Sequence, residues 1–201
     1  MPATGNARRR LNPGLIADAA IALLDRDGPS GLSARRLAAS LGCEAMSLYN
    51  HVENMEAVLD LVVDRLLGGL LPSLEEVGGT EPRQALTVMA GLYLELAERH
   101  PHGFMLIATR RWHTPAATRL AGLILTRIAG PGVPLRAALG RARELGAYLN
   151  GAGLALAAWR TLPKGEGAVP VPDPTLANAF NAKAVREDLL AGLDRLVGAI
   201  A

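Results

Sequence analysis

Residues 34–53 read ARRLAASLGCEAMSLYNHVE, and this stretch is the most informative part of the sequence. It predicts two helices of fewer than ten residues joined at Gly42, a residue that can adopt the positive φ of a tight turn. Leu37, Leu41 and Leu48 would be buried between the two helices. This spacing is typical of a helix-turn-helix, whose second helix enters a DNA major groove about 12 Å wide. A plain helical hairpin would show the same spacing, so the spacing alone leaves both interpretations open.

The flanking sequence predicts further helices with clear boundaries. Asn12 and Pro13 are typical of a helix start, and Gly28-Pro29 would end that helix. Ser33 is expected to cap the second helix, and the third would cover residues 45–50. A longer helix is predicted from Asn54, ending at the Gly68-Gly69 pair, with Pro72 shortly beyond.

The rest of the chain also predicts helices, with apolar residues at helical spacing. They would cover about 86–96, 103–109, 115–129 and 135–160, followed by a Pro/Gly-rich loop and a final helix over Thr175 to Ile200. We therefore predict an all-α protein. It would comprise a flexible arm (1–11), a three-helix helix-turn-helix DNA-binding domain (12–68), and a helical effector-binding and dimerisation domain (69–201).

Composition agrees with an all-α protein and argues against a disulfide-linked or membrane-spanning one. Half of the 201 residues are apolar but only 3% are aromatic, and Leu and Ala favour helices. Cys43 is the only cysteine, so no intrachain disulfide forms and a reducing cytoplasm is expected. The apolar stretch 145–159 is too short to cross a bilayer. The net charge of +2 permits DNA binding but does not argue for it.

Residues 12–67 closely resemble the N-terminal domain of the tetracycline-repressor family. The most specific matches are Gly31-Leu32-Ser33, Leu37-Ala38, Leu41-Gly42, and Leu48 to Val52 followed by Asn54. The resemblance implies a homodimer that represses transcription from a palindromic operator in double-stranded DNA and leaves the DNA when a small molecule binds. A DNA-binding activator remains an alternative, as does a helical enzyme or metal-binding protein whose helix-turn-helix is only structural.

Carried over by position, the resemblance assigns the DNA contacts. Ser33 would cap the second helix and touch a phosphate, while Arg35 would reach a base edge, since its fork of donors matches guanine. The residues implied at the DNA surface are Ser33, Arg35, Arg36, Ala45, Met46, Ser47, Tyr49, Asn50 and His51. Tyr49 could instead pack beneath the first helix.

One position departs from the family. Where the family usually has a phosphate-binding lysine at the start of its fourth helix, this chain has Met55. Phosphate anchoring would then depend on the N-terminus of that helix, whose free amides attract anions. Arg8 to Arg10 could also enter the minor groove, or remain a solvated arm.

The segment 93–159 resembles the tetracycline-binding subgroup more weakly. Phe104 to Ile107 stand around the place of its magnesium-binding histidine, so tetracycline-magnesium is not the expected effector. We expect a small apolar or amphipathic effector instead. The candidate pocket residues are Met89, Leu92, Tyr93, Leu96, Phe104, Ile107, Trp112, Leu123, Tyr148 and Asn150, each of which could equally be core.

Dimerisation is predicted on the long helix and the last helix. Their leucine-rich faces would meet across a two-fold axis as a four-helix interface. The residues are Leu139, Leu145, Leu149, Leu156, Leu189, Leu193, Leu196 and Ile200.

The sequence offers little for catalysis or metal binding. It contains no Walker A loop, HExxH, CxxC or GxSxG motif, and Gly151-Ala152-Gly153 lacks a dinucleotide fingerprint. His100, His102 and His113 do not have the spacing of a recognised metal site, and we interpret them as ordinary loop histidines. No catalytic residue, metal or cofactor is expected.

Overall fold

The computed structural model describes residues 11–77, 80–161 and 182–200, and within them it contains helices and no strand. The all-α prediction is confirmed. The helices are α1 (Pro13–Asp27), α2 (Ala34–Ser40), α3 (Ala45–Tyr49), α4 (Met55–Gly68), α5 (Leu71–Glu76), α6 (Pro82–Arg99), α7 (Pro101–Thr109), α8 (Pro115–Ile128), α9 (Leu135–Thr161) and α10 (Ala182–Ile200), with a 3₁₀ turn at Pro29–Gly31.

The predicted helix starts are confirmed by side-chain caps. Asn12 Oδ1 accepts a hydrogen bond from the Leu15 amide at 3.0 Å, and Ser33 Oγ accepts one from the Arg36 amide at 3.3 Å. Asn54 caps α4 in the same way, through the Ala57 amide at 2.9 Å. These bonds satisfy amides that the first helical turn leaves without partners.

The turn between α2 and α3 has the predicted geometry. Gly42 has φ of +67°, a conformation in which a side chain would be strained. Leu37 and Leu48 are fully buried between the helices, whereas Leu41 is only half-buried. The two leucines fix how α3 sits on the rest of the N-terminal helices.

Helix α5 was not predicted, because Gly68, Gly69 and Pro72 indicated a break. Helix α4 does end at Gly68, but a new helix begins at Leu71. Pro72 lies in its first turn, where a missing N–H costs nothing, and Leu74 is buried and anchors the helix. The final helix is described from Ala182 onward, so its predicted start at Thr175 lies outside the described residues.

The C-terminal helices pack around Phe104. Its ring touches Gly153 of α9 so closely that a Cβ there would lie 2.2 Å from Phe104 Cζ. Helix α10 rests on α6 and α9, held by an Arg83–Asp194 ion pair at 2.9 Å and by the Tyr148 hydroxyl, which donates to the Leu189 carbonyl at 2.6 Å.

Candidate functional site

Helix α3 projects large side chains into solvent. Leu48 anchors its inner side, while Met46 is 74% exposed and Tyr49 is 40% exposed on its outer side. Met46 and Tyr49 thus place an apolar and an aromatic side chain, one helical turn apart, on the outer side of this five-residue helix. The exposure of Tyr49 also argues against the alternative in which it packs beneath α1.

The two arginines at the start of α2 differ in their partners. Arg36 pairs with Asp27, which Arg26 also contacts at 2.8 Å. Hydrogen bonding from Arg26, and more weakly the two arginine charges, hold the pKa of Asp27 below its usual value. Arg35 is exposed and has no ion-pair partner within the described parts of the chain. Among the described residues, Arg35 is therefore an unpaired cation that a ligand on this face could contact.

The other predicted DNA residues differ in their exposure. Ser33, Asn50 and His51 are exposed, and Ala45 and Ser47 are half-buried. Glu44, at the position before α3, is also exposed and makes no side-chain cap.

Met55 occupies the first position of α4, is half-buried and packs against the core. Its thioether offers no N–H donor, so it cannot supply the charged phosphate contact of a lysine. Met55 therefore supplies no cation at the start of α4.

A pocket of about 510 Å³ opens between α6, α8 and α9. Four of the predicted pocket residues line it: Met89, Tyr93, Trp112 and Asn150. The sequence reasoning missed the remainder of the wall, which includes Leu70, Leu86, Leu120, Leu125, Leu139 and Arg143.

Six predicted pocket residues do not line this pocket: Leu92, Leu96, Phe104, Ile107, Leu123 and Tyr148. Phe104 and Ile107 are fully buried in the core, and Leu96 is 4% exposed. The Tyr148 hydroxyl is committed to the Leu189 carbonyl of α10. Leu92 and Leu123 are half-buried on other faces of their helices. Helical spacing identified these side chains as buried, but not as neighbours of the cavity.

A tyrosine–asparagine pair supplies polar groups at the pocket wall. The Tyr93 hydroxyl donates to Asn150 Oδ1 at 2.7 Å, and the Tyr93 ring stacks edge-on against Phe104 at a centroid distance of 5.0 Å. Burial raises the pKa of Tyr93, so its hydroxyl stays protonated and remains a donor. Trp112 Nε1 is occupied by the Ile107 carbonyl at 3.1 Å.

The predicted dimer residues are largely buried within a single chain. Leu145, Leu149, Leu156, Leu193 and Ile200 are each at most 6% exposed, and Leu139, Leu189 and Leu196 are half-buried. The leucine-rich faces of α9 and α10 pack inward, against each other and against α6. Of the predicted dimer residues, Leu139, Leu189 and Leu196 keep partly exposed surface that a second copy of the chain could contact.

The histidines lie where the N-terminal helices meet the rest. His100 Nδ1 is 2.7 Å from Asp25 of α1, and the ring of His102, which lies in α7 rather than in a loop, sits over Gly28. His113 Nε2 is 3.4 Å from Asp60 of α4. Within residues 11–77, 80–161 and 182–200, no three His, Cys, Asp or Glu side chains are grouped so as to hold a metal ion.

Helix α4 connects the α2–α3 unit to the pocket-bearing helices. Arg110, at the end of α7, donates to Asp60 Oδ1 at 2.7 Å and to Glu56 Oε2 at 2.7 Å. Both hydrogen bonds raise the pKa of Arg110, and the bond to Glu56 contributes most. Asp64 accepts from the Ala116 amide at the start of α8 at 2.8 Å. On the other side, Arg65 pairs with Asp18 of α1 at 2.7 Å. Helix α4 is thus held by side-chain contacts to α1, to the end of α7 and to the start of α8.

In the part of the chain that the structure describes, no helix combines the length and hydrophobicity that crossing a membrane would require.

Comparisons with known proteins point to DNA-binding regulators. The chain is 33% identical over 145 residues to an HTH-type transcriptional regulator of Saccharopolyspora erythraea, a match that covers 72% of this chain and 61% of the relative. It is 45% identical over 58 residues to the class D tetracycline repressor protein of Escherichia coli, covering 29% of this chain and 27% of that protein. No protein-family model matches the chain.

The fold has a close counterpart among solved structures. The crystal structure of a possible TetR family transcriptional regulator from Streptomyces coelicolor A3(2) aligns with a TM-score of 0.77 and 18% identity, covering 94% of this chain and 98% of that one. The chain spans 61% of the length of the Saccharopolyspora relative and 27% of the class D repressor, so less than two thirds of either.

Proposed function

Because this chain belongs to the tetracycline-repressor family of helix-turn-helix regulators, we propose that it represses transcription by binding a palindromic DNA operator as a homodimer, and that a small apolar or amphipathic molecule releases it. The observation that carries the proposal is α3, a short helix with a buried inner anchor and an exposed outer face. The same proposal places the protein in the cytoplasm, where the DNA that it would bind is accessible.

On the operator, α3 lies in the major groove and α2 crosses the backbone. Met46 and Ala45 contact thymine methyl groups, and Arg35, which has no ion-pair partner among the described residues, donates two hydrogen bonds to guanine. Tyr49, His51 and Ser33 contact phosphates, which position the helix without reading sequence.

Arg35→Ala should weaken operator binding by about 1–3 kcal/mol and flatten the base preference at one position in each half-site. The reason is that the O6 and N7 atoms of a guanine would lose the two hydrogen bonds that the Arg35 guanidinium donates to them. The measurement is fluorescence anisotropy on DNA that the purified protein selects from a random duplex library. Tyr49→Phe should weaken binding to all sequences alike.

Arg136→Ala is the matched control, because Arg136 is an exposed arginine on α9, far along the chain from the reading helices. It should leave the operator affinity unchanged. If the library yields no enriched sequence, DNA reading itself is contradicted. If Arg35→Ala weakens all sequences equally, Arg35 binds phosphate and not a base.

The homodimer would use the outward faces of α9 and α10. On α9, Glu144, Ala147 and Gly151 are exposed, and on α10, Asp188, Ala191, Arg195 and Ala199 are exposed. The small residues allow close helix approach, and the charges at both ends can pair across a two-fold axis. Two copies are required, since a palindrome presents half-sites roughly 34–36 Å apart.

Gly151→Arg should convert the dimer to a monomer without loss of fold. A Cβ at Gly151 would meet nothing within 4 Å, so arginine fits in a single chain and even improves helix propensity, but its bulk and charge would hold two α9 helices apart. Sedimentation velocity measures the mass, and circular dichroism the helix content.

Gly91→Arg is the control substitution. A Cβ at Gly91 of α6 would also meet nothing within 4 Å, and this glycine lies outside the proposed interface. The Gly91→Arg protein should remain dimeric. A Gly151→Arg protein that sediments as a dimer and keeps its operator affinity would show that the two copies meet elsewhere.

Release would proceed through α4. A ligand between α6, α8 and α9 displaces α8 or α7, and the Arg110 and Asp64 bonds carry that movement to α4. Since α4 is also tied to α1 through Arg65, its tilt would move α3 away from the half-site spacing. Coupling of this kind is commonly about 1–3 kcal/mol and acts equally in both directions.

A further inference from the structure

We propose that the pocket between α6, α8 and α9 selects an apolar organic acid, with its ring or chain in the cavity and its anionic group at Arg143. The proposal rests on the effector site of the proposed function and specifies what that site would bind. It commits to a small-molecule anion in preference to a neutral or cationic compound of the same size.

The volume and the lining of the cavity favour a small ligand that is mostly apolar. A volume of about 510 Å³ lies within the range of small-molecule pockets, roughly 300–1,000 Å³. Most of the wall is aliphatic, including Leu86, Leu120, Leu125 and Leu149, and Trp112 adds an aromatic face. The hydrophobic effect therefore favours a ligand whose bulk is carbon.

The charge of the pocket lining favours an anionic group on the ligand. Among the described residues that line the pocket, Arg143 is the charged one, and no aspartate or glutamate accompanies it there. Within the described ranges Arg143 has no ion-pair partner, so its guanidinium is free for a ligand. A carboxylate or sulfonate can accept two hydrogen bonds from it, whereas a cation would meet repulsion.

The free hydrogen-bonding groups at the pocket wall also favour a ligand with acceptor atoms. Asn150 Oδ1 is already occupied by the Tyr93 hydroxyl, which leaves the amide N–H groups of Asn150 without a partner among the described residues. The indole N–H of Trp112 is used within the protein. The polar groups left for a ligand are therefore mainly the donors of Asn150 and Arg143, and they require acceptors on the ligand.

Two fluorescent probes that share one ring system test the selectivity. One is 1-anilinonaphthalene-8-sulfonate, an apolar anion, and the other is N-phenyl-1-naphthylamine, which lacks the sulfonate. The full-length protein should bind the anion about tenfold more tightly than the neutral probe, as expected for a charge-assisted hydrogen bond at a partly exposed site. Proflavine, an aromatic cation, should not displace the anion.

Two substitutions, each with its own control, locate the binding site of the probes. Arg143→Ala should weaken binding of the anionic probe about tenfold and leave the neutral probe unchanged, while the control Arg136→Ala should alter neither. Gly146→Leu should block both probes, because Gly146 lines the pocket and a Cβ there meets nothing within 4 Å. Gly91→Leu, with equal free space outside the pocket, should block neither.

The outcomes separate this inference from the proposed function. Equal binding of the two naphthalene probes, displacement by proflavine, failure of the anionic probe to bind, or insensitivity to Gly146→Leu would overturn the selectivity for acids. If the anion binds as expected but saturating amounts leave operator affinity unchanged, the release mechanism fails and the selectivity stands. If the neutral probe releases DNA as well as the anion does, release stands and the selectivity fails.

Discussion

Replacing Phe104 with alanine is expected to lower the free energy of unfolding by about 3–5 kcal/mol. The side chain is fully buried, with its ring against Tyr93 and Gly153, so alanine would leave a cavity that three helices cannot close. Urea denaturation followed by circular dichroism measures the loss. Leu135→Ala removes an apolar side chain that is 64% exposed and should change the stability little.

A double substitution tests whether Phe104 and Gly153 act as one packing unit. Gly153→Ala alone should destabilise the chain, since its Cβ would collide with the Phe104 ring. In the Phe104→Ala background that collision is absent, so the added methyl group should cost nothing or recover part of the loss. Additive losses from the two substitutions would contradict this packing, as would a Phe104→Ala protein as stable as the parent.

This result would also define the role of Phe104 in ligand binding. Phe104 supports the back of Tyr93 and does not line the pocket. Its removal should therefore affect ligand binding through the position of the Tyr93 hydroxyl and Asn150, and not through a lost contact with the ligand.

The elements that the sequence predicted well depend on local chemistry. Asn12 and Ser33 cap their helices through amides three residues away, and Gly42 adopts its positive φ within a single turn. Each of these signals acts over a few residues, so a single sequence contains all the information needed. Helix α5 was not predicted because its stability depends on the burial of Leu74 against residues distant in the sequence. This contribution outweighs the helix-breaking residues nearby.

The pocket could be predicted only in part, since it depends on how three helices are rotated relative to one another. Helical spacing indicates that Tyr93, Phe104 and Ile107 are all apolar-face residues, yet only Tyr93 borders the cavity. Arg143 was missed because a charged residue in an amphipathic helix is normally assigned to solvent. Its place at the pocket follows from the packing of α9 against α6 and α8.

The leucine stripe of α10 also shows why a dimer interface is hard to predict from a single sequence. Its spacing correctly predicts an amphipathic helix, but burial within one chain and burial between two chains require the same pattern. Leu193 is 2% exposed and Ile200 is 4% exposed before any second copy is present. Leu193 and Ile200 therefore belong to the core of the single chain, whereas Leu189 and Leu196 of the same stripe are half-buried. The interface that we propose lies on the exposed face of α10, which carries small and charged residues.

Leu193→Asp should reduce the free energy of unfolding by about 4 kcal/mol or more, because a carboxylate would be buried in an apolar site without a partner. The informative measurement is urea unfolding of Leu193→Asp in the Gly151→Arg background, where sedimentation first establishes that the chain is monomeric. Leu135→Asp, the same replacement at an exposed position in the first turn of α9, is the control and should be tolerated. If Leu193 packs within one chain, the destabilisation persists in the monomer. If it were instead an interface residue, the monomer would tolerate the aspartate, and the leucine stripe of α10 would return as the dimer surface.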